Sequence, residues 1–460
     1  MRKHQGFLLN TFCRIDGRGV KMSRFNTDTV CACGKVHKTS LEAYTVGKGA
    51  VNELATYVKK YGAKKAFLFA DVNTYPVAGD KICSILSENG IAYSKYVFNE
   101  KHLEPDEKAV GSAVMHFDNS CDIIICLGSG VLNDISKIIS KMTGKPYIIV
   151  ATAPSMDGYA SASSSMSMDG VKVALNSKCP NVVIGDIDLL KTAPVHMSKS
   201  GLGDMLAKYV SICEWRISNI VNGEYYCPEV AAYVKECLKK CTDNAAGLLK
   251  KDDEAIAAVF EGLIACGMAM EYAGVSRPAS GIEHYLSHVW DMRGLCFGTP
   301  VDLHGIQCAV GTRYAIMAYE ALKKVKPDMK KGCDYAESFD FAAYADHLRE
   351  FIGDGAEAMI ALEAKEQKYN VEKHRARLEK IVANWDEILK VMDEELPTFE
   401  EFEKIMDTIE APKECSDFGI DKAILPDTFK AAKDIRDKYV LPRLMWDMGV
   451  IDEICDEIFG

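Results

Sequence analysis

The chain has 460 residues, 48% of them hydrophobic, and a formal net charge of -11. That length and apolar content support two ordinary domains with real cores, which excludes a disordered chain. There is no basic run to form an electrostatic footprint for nucleic acid or an anionic membrane, so the expected partner is a small molecule.

The 17 cysteines are scattered through apolar segments such as DIIICLGSG and GLIACGMAM. They lack the dense spacing of a secreted disulfide scaffold and read as reduced thiols of a cytoplasmic protein. No apolar run reaches the roughly 18 residues of a membrane span. The opening MRKHQGFLLNTFCRIDGRG has too short an apolar centre for a signal peptide. A soluble cytoplasmic protein is expected. Residues 1–22 fit no element, and Met22 directly precedes SRFNTDTVCACGKVH. The natural start is therefore expected at Met22, with a disordered or over-annotated segment before it. The stretch CACGKVH offers Cys31, Cys33 and His37 without a CxxC pair or a fourth ligand nearby, and reads as an ordinary surface hairpin.

Residues 23–190 alternate between short β-type runs and helical stretches. KKAFLFADV, AYSKYVF, CDIIICLGSG, PYIIVATAP and NVVIGDI are rich in Ile, Val and Phe, as strands buried on both faces are. Between them, VNELATYVKKYG and VLNDISKIISKMTG carry helical periodicity and end at glycine. The alternation predicts an α/β, Rossmann-like domain with a parallel sheet. Asp71, just after the first of these strands, is placed to accept hydrogen bonds from an adenosine ribose, or simply to close a turn. The strand CDIIICL runs into GSGVLNDISKIIS, so Gly128, Ser129 and Gly130 lie where strand becomes helix. Small residues there let helix N-terminal N–H groups approach a pyrophosphate. The spacing departs from GxGxxG, because Asn133 stands at the third glycine. The next strand ends in ATAPSMDGYASASSS, where Thr152, Ser155, Asp157 and Ser161 can line a polar crevice at the carboxyl edge of the sheet.

From residue 191 to 460 strand signals disappear, and amphipathic helical patterns predict an all-helical domain for metal and substrate. AYADHLREFIGDGAEAMIALEAKEQKYNVEKHRARLEKIVANWDEILKVM reads as solvated faces over a helical core. In KSGLGDMLAKYVSICEWRIS, Asp204 follows two glycines; it can be an N-cap or, with two histidines, a metal ligand. RPASGIEHYLSHVWDMRGLCFGTPVDLH holds three of the chain's 10 histidines. His284 and His288 are one helical turn apart on one face, and His304 precedes a glycine. One carboxylate and two imidazoles form a three-ligand site that leaves room for a substrate oxygen, as a Lewis-acid metal requires.

In this order, GSGVLNDISK, TAPSMDGYAS, SGLGDMLAKYVSICEWRIS, RPASGIEHYLSH and LHGIQCAVGT resemble the sn-glycerol-1-phosphate dehydrogenases, particularly the bacterial type. The similarity runs from about Cys31 to IRDKYVLPRLMWDMGVID. Wider relatives are the metal-dependent alcohol and glycerol dehydrogenases and dehydroquinate synthase, whose fold the resemblance implies. It further implies Asp204, His284 and His304 as metal ligands, with His288 and Asp157 as catalytic, substrate-contacting positions. Gly130, Val131, Leu132, Asn133 and Asp134, the turn Thr152, Ala153, Pro154 and Ser155, and Ser161 match dinucleotide contacts. Ser129, Asn133 and Met156 depart from the residues common in the family, which bears on cofactor affinity more than on reaction type.

The expected reaction is hydride transfer between NAD or NADP and dihydroxyacetone phosphate, giving sn-glycerol 1-phosphate, with zinc or nickel polarising the carbonyl. Lys208 and Arg277 are assigned to the substrate phosphate on position and charge alone. The alternatives are a glycerol dehydrogenase, a dehydroquinate synthase-like enzyme, or a silent nicotinamide-binding relative. Relatives imply a homodimer.

Overall fold

Alternate residues along the central strands face two different hydrophobic clusters, and this fixes the architecture. Phe67, Phe69, Ile124, Cys126, Ile149 and Val183 enter one cluster, whereas Ala66, Leu68, Ile123, Ile125, Ile148 and Val150 enter the other. A strand has a side-chain period of two, so a sheet covered on both faces needs apolar residues at every position. In the computed structural model, which describes residues 29–168 and 171–460, those strands form a six-stranded parallel sheet of order β1-β8-β5-β4-β2-β3.

The strands are β1 (Ala43–Gly47), β2 (Lys65–Asp71), β3 (Ala92–Phe98), β4 (Ile123–Gly128), β5 (Tyr147–Ala151) and β8 (Val182–Asp186). Helices α1 (Leu54–Lys60), α2 (Tyr75–Glu88), α3 (Glu107–His116) and α4 (Gly130–Thr143) connect them. The five predicted strand runs are all present. The sixth strand, β1, escapes sequence reading because AYTVG is half-buried along its whole length. The serine-rich run after β5 also pairs, as an antiparallel hairpin of β6 (Ser163–Met168) with β7 (Val171–Asn176).

After the sheet comes α5 (Ile187–Leu190), and every later regular element among the described residues is helical. The site is built on α6 (Val195–Leu206), α7 (Lys208–Asn222), α8 (Pro228–Asp243), α9 (Asp253–Ala273), α10 (Ile282–Phe297) and α11 (His304–Leu322). Helices α12 (Met329–Ser338) through α20 (Ile451–Phe459) complete the chain. Helix α9 corrects one expectation: it is apolar and long enough to cross a membrane, yet 83% of its most apolar window is buried inside the protein. Its burial makes it the central helix of the core, packed at Gly267 against Ala160 of the sheet domain.

The Met22 start lies outside the described residues. The surface-hairpin reading of CACGKVH is corrected: no strand forms there, and His37 is 1% exposed. Among the described residues every cysteine is a free thiol.

Candidate active site at the sheet edge

Glycines at the contact between two helices bring candidate ligands from distant parts of the sequence together. A methyl group on Gly203 of α6 would lie 2.3 Å from the Gly305 carbonyl oxygen of α11, so only glycine permits this approach. Asp204 and His304, the next residue on α6 and the first of α11, are thereby drawn to one place. Helix α10 packs beside α11 and adds His284, whose Nε2 is 3.5 Å from Asp204 Oδ1. Two ligand atoms about 2.1 Å from a shared tetrahedral metal are spaced at about 3.4 Å, so the pair fits a common cation. His284 Nδ1 meets the buried Glu283 carboxylate at 2.9 Å, the outer partner that fixes a ligating imidazole.

Potential ligand atoms converge in two triads that share His284, one with Asp157 and Asp204 and the other with His304 and Cys308. Sequence reasoning missed Cys308. Its Sγ is 3.6 Å from His304 Nε2, and its position four residues after His304 on a helix was the available signal. Ser287 contacts His304 Nδ1 at 3.1 Å and receives a bond from Gln307, which orients the ring.

Lys208 is fully buried, and its ammonium donates to Asp157 Oδ2 at 2.7 Å, Asp204 Oδ1 at 2.9 Å and the Ala279 carbonyl at 2.8 Å. All three of its N–H donors are used, which corrects its assignment to a substrate phosphate. Burial opposes this charge, but Asp157 and Asp204 hold the ammonium well above its ordinary value. Burial likewise opposes the Asp204 carboxylate, while Lys208 and then His284 hold it well below the usual range. The Asp157 N–H closes the cluster onto Asp204 Oδ2 at 2.8 Å.

Arg277 is corrected in the same way: it is 2% exposed, grips Glu224 at 2.8 and 2.6 Å, and donates to the Tyr439 carbonyl. The cations that remain are Arg436 and Lys172, both half-buried, with no ion pair or hydrogen bond from either side chain among the described residues. Both act on His288, which burial, then Arg436 and His304, hold well below the ordinary value for histidine. His288 is thus a neutral imidazole, and its Nδ1 has no hydrogen-bond partner. Sequence reasoning missed both cations; for Arg436 the signal was the familiar IRDKYVLPR stretch, and Lys172 had none.

At the carboxyl edge of the sheet, Asp71 and Gly128 end adjacent strands, two residues beyond the Phe69–Cys126 pair. Asp71 Oδ1 closes a turn on the Asn73 and Thr74 N–H groups, leaving only Oδ2 for a ribose. Helix α4 begins at Gly130 with no side-chain cap from Ser129, and Gly130 and Val131 are half-buried at its mouth. Such uncapped N–H groups favour an anion.

Other predicted cofactor residues serve the cradle from within. Leu132 is in the core. Asn133 is fully buried, spends its N–H on the Ser129 carbonyl, and with its side chain bridges the Gly158 carbonyl and the Tyr147 hydroxyl, so it serves the cradle by packing. Asp134 accepts from the Ser165 N–H of the hairpin. Lys137, also missed, is fully buried and ties the Gly158 and Ser163 carbonyls and Ser161 to α4. Thr152, Ala153, Pro154 and Ser155 are buried in the turn after β5, where the Ala153 carbonyl accepts from Tyr159 and the Ser155 carbonyl from Ser200.

The family model for iron-containing alcohol dehydrogenase matches residues 45–194. A protein of Halalkalibacterium halodurans named glycerol-1-phosphate dehydrogenase, NAD(P)+, is 34% identical over 67% of this chain and 79% of its own length. One of the same name from Pyrococcus horikoshii is 33% identical over 60% of this chain and 77% of its own. Among solved structures, a probable glycerol dehydrogenase from Sinorhizobium meliloti shares the fold with a TM-score of 0.55 at 18% identity, covering 90% of this chain and 97% of that one.

Proposed function

Because the chain belongs to the glycerol-1-phosphate dehydrogenases, we propose that it reversibly transfers hydride between NAD(P)H and dihydroxyacetone phosphate, giving sn-glycerol 1-phosphate. The observation that carries the phosphorylated substrate is that two cations with no ion pair or side-chain hydrogen bond among the described residues, Arg436 and Lys172, both act on the imidazole beside the ligand cluster. A non-phosphorylated polyol has no use for them.

Asp204, His284 and His304 are the residues that would hold the metal, and one carboxylate with two imidazoles suits zinc or nickel. When bound, the metal supplies Lewis-acid polarisation of the carbonyl and the nicotinamide supplies the hydride. Lys208 pairs with both Asp204 and Asp157 and orients the two carboxylates in a largely buried site. His288, held neutral, is in the form that accepts the hydroxyl proton during oxidation and returns it during reduction. Arg436 and Lys172 bind the phosphate, Arg436 through its planar fork. The uncapped start of α4 takes the cofactor pyrophosphate, backed by the glycine at Gly128. The free thiols fit a reducing cytoplasm, and the product is a glycerol phosphate of the kind that lipid synthesis consumes.

Initial rates with dihydroxyacetone phosphate and each nicotinamide, with and without added zinc or nickel, test the proposal. Metal-dependent reduction of the phosphate ester in clear preference to dihydroxyacetone is expected. Turnover of dihydroxyacetone alone would overturn the substrate assignment.

A further inference from the structure

The segment containing CACGKVH gains its missing fourth ligand from the other half of the chain. Cys31 Sγ lies 3.8 Å from Cys227 Sγ, while His37 Nε2 lies 3.5 Å from Cys33 Sγ and 3.4 Å from Cys227 Sγ. All four donor atoms are within 4.8 Å of one another. The edge of a tetrahedron is about 1.63 times its centre-to-corner distance. With Zn–S near 2.3 Å and Zn–N near 2.0–2.1 Å, sulfur–sulfur edges of about 3.8 Å and sulfur–nitrogen edges of about 3.6 Å follow. The observed spacings match both. They are far from the roughly 2.05 Å of a disulfide.

The surroundings are those of a ligand set. His37 Nδ1 is 2.7 Å from the Tyr272 carbonyl, so Nδ1–H donates there and the Nε2 lone pair faces the three sulfurs. The Cys31 N–H bonds the Lys35 carbonyl and the Gly34 N–H bonds the Cys31 carbonyl, both at 2.8 Å, forming a tight turn that aims both thiols inward. Gly34 has φ of 85°, a conformation that makes glycine the fitting residue in the turn. The Tyr225 hydroxyl is 3.3 Å from Cys33 Sγ, where it can donate to a thiolate. Cys227 itself is the residue before α8 and is fully buried.

We propose that Cys31, Cys33, His37 and Cys227 form a closed, four-ligand zinc site, separate from the open site at Asp204, His284 and His304. Three thiolates and one imidazole select zinc among the common divalent ions, and four protein ligands leave no position for substrate. The role is therefore structural. The site clamps residues 31–37 to the α7–α8 turn and to the end of α9 at Tyr272. The next segment, residues 274–281, leads into α10 and His284. Arg277 on that segment grips Glu224, three residues before Cys227, so the clamp and the active-site approach share one packed unit.

Cobalt is the probe that separates this site from the catalytic one, because thiolate–Co(II) coordination absorbs intensely in the near ultraviolet. Full-length protein is stripped and reconstituted with Co(II) as wild type, as Cys308→Ser, and as Cys33→Ser/Cys227→Ser. Zinc is also measured in purified His284→Ala. The charge-transfer band should persist in Cys308→Ser, which removes the one cysteine grouped with His284 and His304 as a potential ligand among the described residues. It should vanish in the double variant. His284→Ala should retain about one zinc per chain. The proposal is overturned if the wild type shows no thiolate band, if folded His284→Ala holds no zinc, or if intact mass finds Cys31 and Cys227 disulfide-bonded. None of these readouts uses turnover, so they stand apart from the test of the dehydrogenase activity.

Discussion

Replacing Lys208 with methionine separates a positioning role from a phosphate contact. The side chain is fully buried, and its ammonium is divided among Asp157, Asp204 and the Ala279 carbonyl. Methionine keeps most of the volume and removes the charge. Two carboxylates are then left facing each other, one with 0% and the other with 13% side-chain exposure. Breaking a buried ion pair from one side costs about 3–5 kcal/mol, and the orphaned carbonyl adds about 1–3 kcal/mol if no water reaches it. For metal-free Lys208→Met a loss of about 3–8 kcal/mol is expected, read as a fall in thermal midpoint of roughly 3–8 °C, since a chain of this length unfolds with an entropy of about 1 kcal/mol/K. A cation beside Asp204 replaces part of the missing charge, so saturating zinc should narrow the gap to wild type. Kinetically, both dihydroxyacetone phosphate and dihydroxyacetone should suffer by a similar factor. An unchanged thermal midpoint together with a tenfold or larger rise in KM for the phosphate ester alone would return Lys208 to the substrate and refute the reasoning.

The histidines one turn apart should fail differently. His284→Ala is expected to lose the catalytic metal, whereas His288→Ala keeps it and slows turnover by about a hundredfold, as removal of a positioned acid or base does; equal loss of that metal in the two would make His288 a ligand. Arg436→Met should raise KM for dihydroxyacetone phosphate by tenfold or more, with little change for dihydroxyacetone, and steady-state kinetics on both substrates would expose any other pattern. Glu214 is 2% exposed, and burial followed by Glu283 raises its carboxyl to about 8. The folded state therefore keeps a proton that the unfolded chain releases near pH 4.5, and this contribution to stability falls as pH rises from there to about 8. Glu214→Gln should flatten the thermal midpoint across that window; a slope identical to wild type would show that Glu214 is ionised in the folded protein.

The sheet was legible because β2, β4 and β5 are apolar at nearly every position, a pattern that only a strand covered on both faces requires. β1 was not, since a half-buried edge strand carries no such signature. At the site, residue types suggested one carboxylate with two imidazoles, helical spacing paired His284 with His288, and the family resemblance singled out Asp204, His284 and His304, whose side chains the structure brings into one neighbourhood. Charge alone misled at Lys208 and Arg277. Sequence shows that a cation is present but not that carboxylates from elsewhere have already used its donors. The same blindness to long-range contacts hid Cys227, which is 190 residues from His37.

The glycines of SGLGD and HG join the proposed cofactor and metal sites into one structure rather than leaving them side by side. A methyl on Gly201 would lie 1.9 Å from the Pro154 carbonyl oxygen, in the turn after β5, and one on Gly305 would lie 1.9 Å from the Ser200 carbonyl oxygen. Ser200 adds a bond from its hydroxyl to the Ser155 carbonyl at 2.9 Å and accepts the Gly305 N–H at 3.1 Å. One turn of α6 therefore touches the dinucleotide edge on one side and the start of α11 on the other. Asp204 follows immediately on that turn, and its carboxylate receives the N–H of Asp157 from the sheet domain. Backbone carbonyls cannot retreat as side-chain ends can, so any shift of the turn after β5 must move α6 and with it Asp204. Hydride transfer needs the nicotinamide and the carbonyl held to within a fraction of an ångström, and a contact made of backbone against backbone is the stiffest link available between the two halves of the site.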